Sequence, residues 1–466
     1  MKKILIAVMS LLCVLPVCAQ EIYTPDDAPP MLPVYGSSVV EEGMDEGLPI
    51  PVAYEGSGIT TNWDSPASYS FAESVRGDVR NRFGFTLGAN EGYITNVYPE
   101  SPDRESTSST LTSLSGSVFA NFGERKSVLH LDYGINYSFY NDQDFSVQDF
   151  GNGADHNATV YYTYTPNEKS RFLVMDRFSS STNDMFGGLD FFSLSTVDWM
   201  PQSYSVHFLP QRVHRNDISG SYERSIARRT RINVFGSYNS YWYDHQDFGG
   251  VLYDNINAAQ VGAGVSQGIT DWLSLSSSYS VYLNNVPEEL QGQQIHRVEV
   301  GGLHFKLAPT VEVYASGGLE IAEIDDDYQM HEMVSVGISK RAGTGVLYAN
   351  YSRSMSTPLG YWRILPSDSV SIGYGQRITD RANFRLMGAY RRSHDYDADG
   401  LLRNYYGSAS FEYSLTRNLF ASANYAYQYQ NNSINIPAFV SSIPRYDRSM
   451  IFAGLQYAWP ALREGE

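Results

Sequence analysis

The sequence predicts an all-β chain that crosses a membrane as a large antiparallel up-and-down β-barrel. Three observations carry that expectation. The chain opens on an export signal. Beyond it no apolar run approaches the ~18 residues of a membrane helix, so an exported chain that still spans a bilayer must satisfy its backbone between strands. From about Asn81 to Trp459, segments of about ten residues alternate apolar and polar with period two, and short turns take turns with long polar loops between them.

The signal is read from residues 1–19. Lys2 and Lys3 give a positive start, Ile4 to Pro16 an apolar stretch, and Val17-Cys18-Ala19 a small-residue cleavage site before Gln20. A lipoprotein signal with Cys18 lipidated is the competing reading, and Val17 is larger than the residue usually found before such a cysteine. Both cysteines, Cys13 and Cys18, lie in this stretch. A chain cut after Ala19 has no disulfide, no Cys-bound metal and no thiol nucleophile.

Composition agrees with a barrel. Charged residues make up 18% of the chain, below the ~25% of soluble domains. Tyr is abundant, at 36 residues. After Lys3, Lys occurs only at 126, 169, 306 and 340, so the Lys and Glu coat of a soluble helical protein is missing. The net charge of −18 excludes the basic footprint of a nucleic-acid binder.

Residues 20–80 follow a different grammar. They hold Pro29-Pro30, Pro33, Pro49, Pro51 and the acidic run Glu41 to Glu46, and from Glu21 to Arg80 eleven acids face two bases. With no periodicity, the segment reads as a flexible acidic periplasmic stretch or as a small plug or partner-binding arm.

The barrel is assigned to residues 81–460, with 461–466 as a short tail. In Leu129 to Phe139 one face is Leu129, Leu131, Tyr133, Ile135, Tyr137 and Phe139, and the other is His130, Asp132, Gly134, Asn136 and Ser138. Ile232, Val234, Gly236 and Tyr238 oppose Arg231, Asn233, Ser237 and Asn239. Phe384, Leu386 and Tyr390 oppose Asn383, Arg385 and Arg391. Short turns fall near residues 123–126, 166–169, 227–230, 270–271, 308–310, 341–344, 379–381 and 416–418, with long loops around 142–155, 178–210, 244–254 and 431–445. Eight short turns joining pairs of strands, plus a first and a last strand, give about 18 strands. The irregular stretch Phe172 to Ser225 leaves 16 as the alternative. An even count puts both termini on the periplasmic side. Tyr and Trp clusters at Tyr238 to Tyr243 and Tyr425 to Tyr429 match aromatic girdles. A soluble β-helix or sandwich also alternates, but sandwich strands average ~5–6 residues.

The polar face carries both signs: Asp132, Glu223, Arg231, Glu299, Glu312, Glu320, Arg377, Arg385, Arg391 and Glu412. These are the lumen-facing candidates, with pairing across the barrel as their simplest role. No catalytic group stands out, and the chain is not expected to be an enzyme. Gly264-Val265-Ser266-Gln267-Gly268 fits G-x-S-x-G, but lies in a strand pattern without a following helix. His331-Glu332 opens like H-E-x-x-H, yet Ser335 stands at the second His. Asp395, Asp397 and Asp399, before Gly400, match the first half of a calcium loop, but Tyr406 replaces the closing Glu. They read as a loop Ca2+ site or as a solvated acidic hairpin tip. Asp325 to Asp327 is a weaker site for divalent ions between lipopolysaccharide phosphates.

The final segment, Ile451, Ala453, Leu455, Tyr457 and Trp459, resembles the terminal strand by which the barrel assembly machinery recognises its clients, although Pro460 to Glu466 follow it. With the alternation and the turn–loop rhythm, residues 81–460 resemble the porin-like outer-membrane barrels of Gram-negative bacteria. In size and strand number the chain is similar to barrels associated with exopolysaccharide export. That resemblance implies an outer-membrane pore for polar solutes or a secreted polysaccharide, surrounded by outer-membrane lipid and lipopolysaccharide and working with periplasmic export partners. No TonB box is legible. A structural or adhesive barrel acting through its external loops, and a lipid-modifying barrel enzyme, are the alternatives.

Overall fold

The computed structural model describes residues 82–95, 108–124, 126–140, 153–181, 212–243, 247–248, 251–252, 256–285, 293–324, 327–342, 345–356, 365–379, 381–394, 401–416, 418–432 and 446–459. The signal, the acidic segment 20–80 and the aspartates at 395, 397 and 399 lie outside them.

Eighteen strands form one sheet: β1 (Arg82–Ile94), β2 (Ser109–Glu124), β3 (Ser127–Tyr140), β4 (Gly153–Asn167), β5 (Ser170–Ser181), β6 (Val213–Ala227), β7 (Thr230–Tyr243), β10 (Ile256–Gly268), β11 (Leu273–Asn285), β12 (Gln293–Ala308), β13 (Val311–Ile324), β14 (Asp327–Ala342), β15 (Gly345–Ser356), β16 (Leu365–Thr379), β17 (Ala382–His394), β18 (Leu401–Ser414), β19 (Leu419–Asn432) and β20 (Tyr446–Trp459). A two-residue pair, β8 (Asp247–Phe248) and β9 (Val251–Leu252), sits in the connection after β7. Each strand of the large sheet pairs antiparallel with the next, and β20 returns to pair with β1 from Phe85↔Trp459 to Ile94↔Met450. The sheet is therefore closed and has no edge, the all-strand solution to spanning lipid.

The eight short turns expected from sequence are the connections β2–β3, β4–β5, β6–β7, β10–β11, β12–β13, β14–β15, β16–β17 and β18–β19. The long connections lie at the other rim. Turn chemistry is local. Asn167 Oδ1 accepts from Lys169 N, and the Thr270, Thr379 and Thr416 hydroxyls accept from backbone N–H groups two residues on. Neighbouring turns are also tied together. The carbonyls of Lys126, Lys169, Arg229, Trp272, Thr310, Arg381 and Asn418 each accept from the adjoining hairpin at 2.7–2.9 Å.

Strands run 12 to 16 residues, longer than the ten-residue segments read from sequence. The added residues are polar ends, such as Ser179 to Ser181, which continue the pairing past the apolar band.

One face of every strand carries the exposed apolar side chains, among them Leu87, Leu114, Val118, Ile135, Val174, Val261, Ile372, Leu386 and Leu455. Aromatic pairs bound this band. Near the short turns are Phe83–Phe122, Phe85–Trp459, Tyr164–Phe172 and Trp272–Phe305; near the long connections are Tyr137–Phe139, Phe178–Trp242, Tyr279–His296 and Tyr390–Tyr405. Tyr405 and Tyr413 share one strand and one face. Their spacing at ~3.4 Å per residue and ~40° tilt gives a band about 21 Å tall, close to the ~25 Å of membrane barrels. The architecture is that of a porin-like membrane-spanning barrel.

Candidate functional site

The second face of each strand is the inner one: it carries the buried polar and charged side chains, and some of these reach over a neighbouring strand to the next. The Tyr314 hydroxyl of β13 donates to Asn350 Oδ1 of β15 at 2.7 Å, across β14. Arg297 Nη2 of β12 donates to the Met355 carbonyl of β15 at 2.7 Å, across β13 and β14.

The pairing register places nine of the ten charged candidates on this face. Asp132 lies on β3 beside His130, whose Nε2 is 3.7 Å from Asp132 Oδ2. Glu223 of β6 and Arg231 of β7 form an ion pair at 3.2 Å. Glu299 of β12 stands opposite Ser278 and Gly318. Glu312 of β13 is 3.5 Å from His304. Glu320 of β13 pairs with Arg297 at 2.5 Å. Arg377 of β16, Asn383 of β17 and Glu412 of β18 share one row, with Arg385 two residues further along β17. Arg391 Nη2 donates to Ser367 Oγ at 3.2 Å. Glu223–Arg231 and the Arg377–Glu412 row are thus brought together, and the rest are spread around the wall. No convergent acid–base or nucleophile–base constellation is formed by them.

Sequence reading missed several inner charges. Arg171 faces Glu223 in register, Arg177 faces Asp217, Arg215 Nε is 2.5 Å from Asp217 Oδ2, and Arg448 of β20 is 1% exposed. Their alternation with Leu173, Met175 and Ser219 was the available signal, but it is weaker than in the segments with regular apolar partners.

The most enclosed polar group on the wall is Arg297–Glu320. Glu320 is 0% exposed and Arg297 4%. Their outer partner is the backbone of Met355. Its N–H donates to Glu320 Oε2 and its carbonyl accepts from Arg297. The reason lies in the sheet. Pairing of β14 with β15 stops at Val334↔Arg353, while β15 continues against β16 to Ser356↔Leu365. Above that point the β14-side N–H and C=O of β15 have lost their ladder, and buried backbone groups need partners. One carboxylate and one guanidinium replace the missing strand. For them to reach it, the end of β15 must lean inward over the wall.

A second device recurs across facing strands. A Cβ added to Gly337 would fall 2.1 Å from the Tyr314 ring, to Gly373 2.1 Å from Tyr348, to Gly84 2.1 Å from Phe119 and to Gly92 2.2 Å from Phe452. Each ring lies flat over a glycine directly opposite in register. This leaves the large side chain folded against the wall and out of the interior, and it covers a strand position that would otherwise have no side chain to pack.

The inner face is not polar throughout. Ile94, Leu111, Met387, Ala389, Tyr406, Ala426, Met450 and Phe452 form a buried cluster on the inner face of β1, β2 and β17–β20. The sequence reading followed charges, and the same alternation also sends these apolar residues inward. Gly264, Ser266 and Gly268 lie on the inner face of β10, with Asn233 Oδ1 2.6 Å from a Cβ built on Gly264, so they pack a wall and make no nucleophile elbow. His331 and Glu332 project from opposite faces of β14. Among the described residues no group of three His, Cys, Asp or Glu side chains could hold a metal ion.

No family model matches the chain, and no curated protein matches it. Among solved structures it is similar to Acinetobacter baumannii OccAB4, at 11% identity and a TM-score of 0.42 over 81% of this chain and 98% of that one. It is similar to Pseudomonas aeruginosa OccK2 (OpdF) in complex with glucuronate, at 11% identity and 0.41 over 81% and 98%. A third is the siderophore receptor PirA from Acinetobacter baumannii, at 8% identity and 0.38 over 80% of each chain. Likeness at this level assigns neither solute nor site to this chain.

Proposed function

We propose that the chain is an outer-membrane pore for polar solutes, with a secreted polysaccharide as one class of cargo and both termini on the periplasmic side. The observation that carries the reading is the division of faces on one closed 18-stranded sheet. The outer face is an apolar band between aromatic girdles, and the inner face carries Arg, Asp and Glu in compensating pairs. Barrels of 16–18 strands generally leave an aqueous channel, since diameter grows with strand number. Mixed charge suits a hydrated path for neutral or zwitterionic polar cargo, because fixed charges of both signs leave no large single-sign field along the wall. The inward lean of β15 and the apolar inner cluster argue for a narrowed, selective path over a wide open one. The short-turn rim would face the periplasm and the long connections the outside, the arrangement usual for such barrels.

The test is single-channel recording in planar bilayers of the refolded mature chain, with and without residues 20–80. Steady channels, blocked by an added acidic or neutral polysaccharide, are expected. Conductance appearing only after truncation would make the acidic segment a plug. Silence from both forms, in protein proven folded by its heat-dependent gel mobility, would sink the pore and favour a structural or adhesive barrel.

A further inference from the structure

Around most of the barrel the outward face near the long connections is neutral or acidic. Its charged positions are Glu91 on β1, Asp176 on β5, Glu323 on β13, Glu332 on β14, Asp368 on β16 and Asp447 on β20. Among the described residues, Arg and Lys reach this half of the outward face at four positions: Arg212, just before β6, which donates to the Ala154 carbonyl and Ser180 Oγ at 2.9 and 3.0 Å, and Arg353 on β15, Arg392 on β17 and Arg403 on β18. The last three lie within one stretch of four adjoining strands.

Arg353 is already engaged, at 3.1 Å from Glu332 and 3.9 Å from Asp368. Asp368 also accepts from the Tyr351 hydroxyl at 2.9 Å. Among the described residues Arg392 and Arg403 form no ion pair, although Asp368 stands across from Arg392 in the β16–β17 register. They stand directly opposite each other in the β17–β18 register, and both are exposed. Like charges directly opposed on a sheet face destabilise it. His394 lies within electrostatic reach of both and of Arg353, and Asp368 is the one acid in that group. Two residues along each strand toward the membrane, about 7 Å away, is a shelf of rings. Tyr390 and Tyr405 have centroids 4.8 Å apart, and Tyr405 and Tyr429 5.6 Å apart. Tyr at this level marks the boundary between acyl chains and headgroups.

We propose that Arg392 and Arg403 bind a phosphate of an outer-leaflet glycolipid, the lipopolysaccharide headgroup, above the Tyr390–Tyr405–Tyr429 shelf. The inference rests on the outer-membrane reading above, with the long connections outside. Guanidinium groups bind phosphate through paired, charge-assisted hydrogen bonds. A phosphate between the two arginines turns their repulsion into a shared contact, and among the described residues no carboxylate forms an ion pair with either. The amphipathic tyrosines beneath suit the sugar–lipid boundary of such a molecule.

The test uses the full mature chain, refolded in detergent and titrated with bisphosphorylated lipid A, with bound lipid counted by native mass spectrometry. The wild type is expected to retain lipid A, and the R392Q/R403Q double variant and the single Arg403→Gln to bind it about tenfold or more weakly. Arg224→Gln, an outward arginine near the short turns, is expected to bind as the wild type does. Equal binding by the double variant, equal retention of dephosphorylated lipid, or inorganic phosphate binding as tightly as lipid A would overturn the proposal. Conductance on the same preparations separates the two readings. A conducting barrel that retains no lipid A loses this inference alone, and a silent barrel that retains it through these arginines loses only the pore.

Discussion

Substitution of Gly337 by Ala tests whether the aromatic-over-glycine packing of the inner face holds real stability. The added methyl would lie 2.1 Å from Tyr314 Cε1 and 2.2 Å from Cζ. Carbon–carbon contacts need about 3.5–4.0 Å, so the ring must retreat by about 1.4 Å or more. The neighbouring strands cannot move apart without breaking their ladder. The ring must therefore swing off the wall, and its hydroxyl gives up Asn350 Oδ1, now 2.7 Å away. Overpacking costs about 1–3 kcal/mol and the lost hydrogen bond about 0.5–1.5. Replacing Gly in a strand returns about 0.5–1 through chain entropy. The net is a loss of about 1–3 kcal/mol. In a Tyr314→Ala background the clash is gone, and G337A should be neutral or stabilising by about 0.5 kcal/mol. Guanidinium unfolding in lipid vesicles, followed by tryptophan emission, gives all four corners of the cycle. A G337A penalty of the same size in both backgrounds, or no penalty in the wild type, would show that the ring is not seated as described.

Three further outcomes are expected. Glu320→Gln or Arg297→Met alone should cost about 3–5 kcal/mol in the same unfolding assay, and the double variant clearly less than the sum, because each single change strands a buried charge; additive costs would mean the two act separately. Arg385→Gln should shift the reversal potential in a salt gradient toward cation selectivity, since it removes a half-buried positive charge from the inner face; an unmoved potential would place Arg385 outside the ion path. Trp459→Ala should slow the appearance of the folded, heat-modifiable band during refolding, because it removes the ring stacked 5.9 Å from Phe85 at the junction of the first and last strands; unchanged kinetics would make that contact ornamental.

Much of the fold was legible because a barrel strand repeats with a period of two, and its turns announce themselves with Pro, Asn, Asp and Gly. Each of the eight short turns marked the ends of two strands, which pointed to about 18, and the irregular stretch Phe172 to Ser225 alone kept 16 open. The inner face was legible wherever alternation ran unbroken, as in β3 and β17. It was hidden where a strand changes phase. In β12, Val300 faces Ser277 and Gly302 faces Ser276, so Gly301 is an extra residue and a bulge. Before it the odd-numbered Arg297 points inward; after it the even-numbered His304 and Lys306 do. No strict period links Arg297 to Glu320, which lie on different strands 23 positions apart. The Met355 contact was still less visible, because it depends on where β14 and β15 part, a property of the closed sheet. Asp176 shows the converse, a carboxylate that alternation sends to the outward face, with Asn216 2.9 Å away when its amide is turned to donate.

Closure of the sheet through β1 and β20 also governs when this molecule can exist at all. The ten paired residues of that seam, Phe85 to Ile94 against Trp459 to Met450, come from opposite ends of the barrel sequence. Until the last strand has been delivered, every intermediate carries two unsatisfied edges, and each is a template for pairing with a stranger. A ribosome-released chain therefore cannot bank stability strand by strand as a repeat protein does. The outer-membrane reading thus predicts an escort that shields both edges through the periplasm and releases them together, and a truncation of only a dozen C-terminal residues is expected to yield proteolysed chain instead of a slightly smaller barrel.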